Sequence, residues 1–227
     1  MQKNIAIILA GGSGSRMNLE IPKVFVKIHQ KYLLEYSMIQ FQKNDLIDEI
    51  LLVVPKNYLS ISEEAIKPKY SKVTQVLQGG TSRYESSYTG VNAVKQNDAK
   101  VLIHDAARPF ISQNMIKKSI EALEKFDAVN ILAPVSDTLV QLKDHQFSHL
   151  IDRQQIRKAQ TPQSFSLSSI KKAHKLARNT PSIEITDDFG LVHQFKTGTH
   201  SWIEGSQMNF KITYPEDLEF AKKILKE

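Results

Sequence analysis

Two cations stand beside a glycine-rich turn near the start of the chain. The apolar run Ile5-Ala6-Ile7-Ile8-Leu9 leads into Ala10-Gly11-Gly12-Ser13-Gly14-Ser15-Arg16-Met17, and Ile21-Pro22-Lys23 follows. A buried strand that empties into such a turn makes a phosphate cradle. Glycine permits positive φ and close backbone approach, so several N–H groups can converge on one anion. Arg16 and Lys23 add fixed positive charge beside the cradle. That combination points to the handling of a nucleoside triphosphate, and to chemistry on it. A purely structural turn would need the glycines but neither cation.

Two better-known loops are excluded. No G-x-x-x-x-G-K-[ST] run occurs, so this is not a P-loop. Gly12 and Gly14 match the first two glycines of G-x-G-x-x-G, but Met17 stands at the third place.

The elements that must position these residues alternate between strand and helix. After the first strand, the spacing predicts a helix over Tyr32–Gln42 and a strand buried on both faces over Glu49–Pro55. A helix over Asn57–Ile66 and a short strand over Val73–Leu77 follow, ended by Gly79-Gly80. Thr81–Val94 reads as a helix with Thr81 as N-cap. Lys100–His104 is a strand closed by Asp105-Ala106-Ala107-Arg108-Pro109, Gln113–Lys125 a helix and Ala128–Pro134 a strand.

The rhythm then breaks. Thr138–Leu142 and Gln146–Ile151 read as a hairpin about Lys143-Asp144-His145, an arm at about 136–160. Helices resume over Ser166–Arg178 and Asp187–Gln194. Strands are expected around Ser201-Trp202-Ile203 and at Phe210–Thr213, and Pro215 opens a last helix over Glu216–Lys226. The repeated strand–helix order argues for an α/β, Rossmann-like fold: a mostly parallel sheet with helices on both faces and a β-hairpin arm. Residues 1–227 read as one domain. Ligands of such sheets bind at the carboxyl ends of the strands. Arg16 and Lys23 follow one strand, Gly79, Gly80 and Arg83 another, and Asp105 and Arg108 the next; Thr138 and Lys211 lie at strand edges.

Composition narrows the partners. The chain of 227 residues has no cysteine, which excludes disulfides, thiol nucleophiles and cysteine-held zinc, and fits a cytoplasmic protein. No apolar run approaches the roughly 18 residues of a membrane span, and no signal-peptide pattern is present. The formal charge of +6 is scattered along the sequence. The densest segment, Lys171-Lys172-Ala173-His174-Lys175 with Arg178, falls on an expected helix and reads as its solvated face. The balance suits phosphate substrates better than nucleic acid.

Seven motifs, in order, identify the family that the chain resembles. They are Leu9–Met17 with Pro22-Lys23; Gly79-Gly80-Thr81-Ser82-Arg83-Tyr84-Glu85-Ser86; His104-Asp105-Ala106-Ala107-Arg108-Pro109; Ala133-Pro134-Val135-Ser136-Asp137-Thr138; Arg153 with Ala159-Gln160-Thr161-Pro162-Gln163; Ile185-Thr186-Asp187-Asp188; and Asn209-Phe210-Lys211-Ile212-Thr213 leading to Pro215-Glu216-Asp217-Leu218. Over nearly its whole length the chain resembles the cytidylyltransferases that activate polyol phosphates. The best-known members make CDP-methylerythritol for isoprenoid synthesis, and close relatives make CDP-ribitol for wall and capsule polymers.

The resemblance implies a magnesium-assisted transfer of CMP from CTP to a polyol phosphate, with release of pyrophosphate. It assigns Arg16, Lys23 and Lys211 to the reacting phosphates. It places Arg153, Thr138 and Thr186 at the polyol phosphate, and takes Arg153 over Arg157 because Arg153 stands eight residues before Thr161. Ala10, Gly11, Gly12, Gly14, Gly79, Gly80, Arg83, Ser86 and Asp105 fall to CTP. Asp105 has two site readings, a magnesium ligand or a ribose contact, beside a bland one as the cap of a turn. His104 reads as a packed strand-end histidine, since this chemistry needs no base.

The arm implies a homodimer in which each site borrows Thr138 and Arg153 from its partner. The tail motifs lean towards 2-C-methyl-D-erythritol 4-phosphate as acceptor, whereas Gly11, where many of those enzymes have alanine, leans towards D-ribitol 5-phosphate or another alditol phosphate. Rival readings are the wider sugar-nucleotidyltransferase group and, from another class, a non-catalytic nucleotide-binding module.

Overall fold

Side-chain alternation along the first strand sets up the layers of the molecule. The computed structural model describes residues 2–11, 17, 21–180 and 185–225. Strand β1 (Lys3–Leu9) is followed by the short strands β2 (Lys27–Ile28) and β3 (Lys31–Tyr32), helix α1 (Leu33–Gln42) and β4 (Glu49–Val54). Irregular helical turns around α2 (Leu59–Ile61) lead to β5 (Val73–Gln78), α3 (Arg83–Ala93), β6 (Ala99–Asp105), α4 (Gln113–Ala122) and β7 (Ala128–Pro134). The hairpin β8 (Leu139–Lys143) and β9 (Gln146–Ile151) precedes β10 (Arg157–Ser166), α5 (Leu167–Arg178), α6 (Asp188–Phe195), β11 (His200–Glu204) and α7 (Pro215–Ile224).

Seven strands make the main sheet, in the order β11-β7-β10-β6-β1-β4-β5. Neighbours are parallel except at β10, which runs antiparallel to both β6 and β7. Ala6 and Ile8 of β1 pack with Leu52 and Leu102 on one face, under Leu34, Met38 and Ile116 of α1 and α4. Ile5, Ile7 and Leu9 pack with Val53 and Val101 on the other, under Val91, Ile170 and Leu191 of α3, α5 and α6. Period-two alternation between two helix layers is what a doubly covered sheet demands. A third cluster joins Ile28 and Leu33 to Ile212 and to Leu218 of α7.

The register brings the carboxyl ends of the central strands level. Leu9 lies opposite Val53 on one side and Asp105 on the other. Backbone bonds carry the alignment into the loops: Ala10 N donates to Val53 O at 2.8 Å, Gly79 N to Val54 O at 2.8 Å and Ala106 N to Leu9 O at 2.9 Å.

Two local expectations are corrected. Ser82, not Thr81, caps α3: its hydroxyl accepts from Glu85 N at 3.1 Å while the Glu85 carboxylate reaches back to Ser82 N at 3.3 Å. This reciprocal pairing satisfies two otherwise orphaned donors. Thr81 is tied to the same carboxylate through its own N–H at 2.6 Å. Phe210–Thr213 is extended but joins no sheet; Ile212 N donates to Ala107 O at 2.9 Å, so the segment is laid against a loop.

Strand β10 is an element that the sequence reading did not include. Pro162 and the polar run Gln160-Thr161-Gln163 argue against a central strand. The register shifts between Gln160 and Ser164, and the buried polar side chains bond across to neighbouring segments, which is what lets such residues sit there.

The expected hairpin is present. Asp144 and His145 adopt φ of 50° and 64° at its two central positions, as a two-residue hairpin turn requires. Val140 pairs with Leu150 and Leu142 with Phe147, and all four side chains are exposed.

Candidate active site

The loops after β1 and β5 close on one hydroxyl. A Cβ added at Gly11 would meet Ser86 Oγ at 3.0 Å, and one at Gly79 would meet it at 2.8 Å. Ser86, buried on the first turn of α3, donates to Ser82 O at 3.0 Å. Only glycine lets both backbones approach this close, so Gly11 and Gly79 frame a narrow slot with Ser86 at its floor. Gly80 lies against Glu85, whose Cβ an added Cβ would meet at 2.2 Å. Ala10 is buried beneath the slot. Gly12, Gly14 and Arg16 lie outside the described residues.

Lys23 opens the helical turn Lys23–Phe25 directly after Pro22 and is buried. Phe25 fixes that turn: its ring stacks on Tyr58 at 4.0 Å and meets Tyr32 edge-on at 5.8 Å. Lys23 therefore leaves a rigid support rather than a loose loop.

The end of β6 carries the charge centre. Asp105 accepts from Arg83 Nε at 3.0 Å on Oδ1 and from Lys211 Nζ at 2.7 Å on Oδ2. Burial alone would push its carboxyl up; the Arg83 and Lys211 charges, with Arg108 behind them, reverse this and hold it well below the usual carboxylate range. Arg83 extends away from Asp105 to Asp188, where Nη1 donates to Oδ2 at 2.7 Å. Burial works against the guanidinium charge, but Asp188 and Asp105 more than offset it and raise its pKa. Arg83 Nη2 is buried without a hydrogen-bond partner among the described residues.

Lys211 is placed by its neighbours in sequence. Arg108 Nη1 donates to Asn209 O at 2.8 Å, Asn209 Nδ2 donates to Thr161 O at 2.9 Å, and Ile212 is fully buried. In an extended segment alternate side chains face opposite ways, so burying Ile212 turns Lys211 to the crevice.

His104, behind Asp105, is fully buried, and burial pushes it down to about 4. Its Nε2 meets Arg108 O at 3.0 Å, and Nδ1 meets Thr161 Oγ at 3.1 Å. A carbonyl only accepts, so Nε2 carries the proton and Nδ1 accepts from Thr161, which in turn accepts from Asp105 N at 3.0 Å. The neutral ring is a spacer that sets the end of β6, packed on Phe41 at 5.1 Å.

The residues tied to the acceptor lie elsewhere. Thr138 is exposed at the start of the hairpin, and Arg153 is exposed at its base, where Nη1 donates to Ser136 O. Arg157 is exposed and bonds Gln154 O and Ile156 O. Thr186 is exposed one residue before Asp187, the N-cap of α6. Among the described residues, no hydrogen bond joins Thr138, Arg153 or Thr186 to Asp105 or Lys211.

Sequence reasoning gave no role to Asp188, Gln163 or Ser87, and placed His174 on a solvated helix face although it is buried. Gln163 Oε1 accepts from Asp188 N at 3.0 Å, and Ser87 Oγ donates to Asp188 Oδ1. The one signal was the doubled acid Asp187-Asp188 at a helix start: the first caps the helix, and the second is then free to face inward.

Three cations, Arg83, Arg108 and Lys211, thus face two carboxylates, Asp105 and Asp188, beside a glycine-framed slot at the carboxyl ends of parallel strands. The surplus of positive charge suits a polyphosphate. A resident metal cage does not fit: among the described residues, no group of three acidic or histidine side chains converges, and both Asp105 oxygens already hold cations. A magnesium ion would fit only where a triphosphate supplies most of its oxygens and draws Lys211 off Asp105, leaving Oδ2 as the one protein ligand.

The family model for 2-C-methyl-D-erythritol 4-phosphate cytidylyltransferase matches residues 4–227. A protein of that name from Clostridium novyi (strain NT) is 39% identical over 228 residues, spanning 99% of this chain and 97% of that protein. A Haemophilus influenzae protein described as a bifunctional ribulose 5-phosphate reductase/CDP-ribitol pyrophosphorylase is 36% identical over 98% of this chain and 48% of its own length. The crystal structure of 4-diphosphocytidyl-2C-methyl-D-erythritol synthase from Anaerococcus prevotii DSM 20548 superposes with a TM-score of 0.86 at 29% identity, covering 100% and 99% of the two chains. That of the Thermus thermophilus cytidylyltransferase gives 0.78 at 28% identity, covering 96% of each chain.

Proposed function

Because the chain belongs to the 2-C-methyl-D-erythritol 4-phosphate cytidylyltransferase family and is a CTP-dependent nucleotidyltransferase, we propose that it transfers CMP to 2-C-methyl-D-erythritol 4-phosphate. One observation carries the reading: Lys211 and Arg83 meet at Asp105 beside the Gly11–Gly79–Ser86 slot, the place where such a fold presents a nucleotide. The slot takes the base and ribose, with Gly79, Gly80 and Ser86 reading the cytosine side. Ala10, Gly11, Gly12 and Gly14 line the triphosphate, and Arg83 Nη2, without a partner among the described residues, donates to CTP.

The reaction needs positioning and charge rather than a covalent intermediate. An oxygen of the acceptor phosphate attacks the α-phosphorus of CTP, the bond to the β-phosphate bridging oxygen breaks, and its electron pair leaves with pyrophosphate. Both reactants are anions, so repulsion between them must be neutralised. Lys211 supplies its ammonium at the α-phosphate, and the Arg16 guanidinium and the Lys23 ammonium serve the reacting phosphorus and the departing pyrophosphate. Asp105 would hold a magnesium ion bound with the triphosphate, and the ion would neutralise further charge on the phosphates.

Arg153, Thr138 and Thr186 are proposed to hold the acceptor phosphate. The exposed hairpin face of Val140, Leu142, Phe147 and Leu150 supports the reading that this arm packs on a second copy of the chain and carries Thr138 and Arg153 to its site.

A second acceptor stays in view on one observation. The Haemophilus influenzae relative, whose description names CDP-ribitol, matches this chain almost end to end. Pyrophosphate release with CTP and each acceptor in turn decides between them. A clear preference for 2-C-methyl-D-erythritol 4-phosphate is expected; preference for D-ribitol 5-phosphate would overturn that choice, and comparable turnover of UTP would overturn the cytidylyl reading. CTP binding without turnover would identify a non-catalytic module.

A further inference from the structure

Among the described residues, Asp188 is bonded to none of the groups assigned to substrate except Arg83, yet it is almost fully buried and held from several sides. It is the first residue of α6, behind the N-cap Asp187. Its N–H donates to Gln163 Oε1 at 3.0 Å, Ser87 Oγ donates to its Oδ1, and His174 Nε2 stands 4.0 Å away. Its remaining oxygen, Oδ2, accepts from Arg83 Nη1 at 2.7 Å. A carboxylate fixed so firmly can determine the orientation of the group it grips.

The guanidinium is a rigid planar fork. Nε and Nη2 share one edge of it, and Nη1 points away on the other side. Asp188 holds the far side, through Nη1. The near edge therefore meets Asp105 with Nε alone, on Oδ1, and Nη2 is left without a partner among the described residues. Asp105 Oδ2 is thereby kept for Lys211. Released from Asp188, the fork would be drawn into the preferred two-toothed grip on Asp105, with Nε and Nη2 on both oxygens. That grip would displace the Lys211 ammonium and use up the Nη2 donor together.

We propose that Asp188 is a positioning residue for nucleotidyl transfer: by holding Arg83 through Nη1, it keeps Asp105 shared between Arg83 and Lys211 and so fixes the place of the Lys211 ammonium. The inference rests on the transfer reading above. It differs from a folding role, because it acts through Arg83 alone.

A double-mutant cycle tests it. Pyrophosphate release is measured for the wild-type enzyme, Asp188→Ala, Arg83→Met and the double variant, with thermal melting to confirm folding. Asp188→Ala is expected to lower kcat by about 100-fold, as small misplacements of a catalytic group do, with KM for CTP much less changed. With Arg83 already replaced, the same substitution should change kcat by less than about threefold, because coupled residues are not additive. Asp188→Asn keeps an oxygen for Nη1 and should restore most of kcat. Equal fold-losses in both backgrounds, or wild-type kcat in Asp188→Ala, would overturn the positioning role while leaving the transfer reading in place. A wild-type enzyme inactive with both acceptors would overturn the two together. Should Asp188→Ala not fold, the cycle is run with Asp188→Leu, which fills the site but also removes both oxygens, and the same lack of additivity is required.

Discussion

Lys211 and Asp105, 106 residues apart in the chain, meet through an Nζ–Oδ2 hydrogen bond of 2.7 Å at the carboxyl end of β6. The carboxylate holds the ammonium in place while no phosphate is present. A triphosphate offers several negative oxygens to the same ammonium, so substrate can compete for it without any rearrangement of the sheet.

The first prediction concerns that ammonium. Lys211→Ala should lower kcat by about 100-fold or more, the usual cost of deleting one donor to developing charge. The melting temperature should hardly move. The Lys211 side chain is 35% exposed, and buried Asp105 keeps Arg83 as a counter-charge, so no unpaired buried charge is left behind. A large loss of stability in this variant, with kcat per folded molecule unchanged, would sink the catalytic assignment.

Gly90 carries the second. On α3, an added Cβ would meet Ile7 Cγ2 at 2.4 Å and Val53 Cγ2 at 3.3 Å. Alanine would improve the helix by up to about 1 kcal/mol, but overpacking a rigid core costs about 1–3 kcal/mol. Ile7 and Val53 are fully buried and have nowhere to retreat, so the clash should win. Chemical denaturation of Gly90→Ala should therefore show net destabilisation; a gain in stability would mean that the core yields.

Acid should destabilise the fold in a definite window. Burial pushes both His104 and His174 down to about 4, from an ordinary value of 6.5. Below 6.5 the unfolded chain binds protons that the native state refuses, so stability falls as pH drops from 6.5 towards 4 and the loss levels off below that. Each histidine contributes about 3 kcal/mol at most to this loss. Denaturation midpoints for wild type and for His174→Gln between about pH 7 and pH 4 provide the check, and the variant should show a shallower decline. Identical slopes would assign the acid response to other groups.

The hairpin supplies the fourth. Replacing Leu142 and Phe147 by glutamate places charge on the exposed apolar pair of β8 and β9. If the arm docks on a second copy, sedimentation should show a dimer for the wild type and a monomer for the variant, and activity should fall with assembly. A monomeric, fully active wild-type enzyme would remove the shared-site proposal.

Much of the architecture was legible before any coordinates. The β1 and β4 runs, the helices after them and the Asp144-His145 turn all declare themselves locally, through period, β-branching and turn chemistry. The convergence of Gly11, Gly79 and Asp105 followed from one rule about strand ends. β10 escaped because its identity rests on partners: Gln160, Thr161 and Gln163 look like loop residues until their hydrogen bonds to distant segments are seen.

What the sequence by itself determined was the layering of the fold and the set of groups able to do the chemistry. Hydrophobic period and residue type are properties of neighbours in the chain. Only the tertiary structure decided how those groups share their charges. Arg83 lies between Asp105 and Asp188, the latter 105 residues away, and Lys211 reaches Asp105 across 106. A buried charge takes its counter-charge from whatever segment the fold brings near, and no local pattern records that choice.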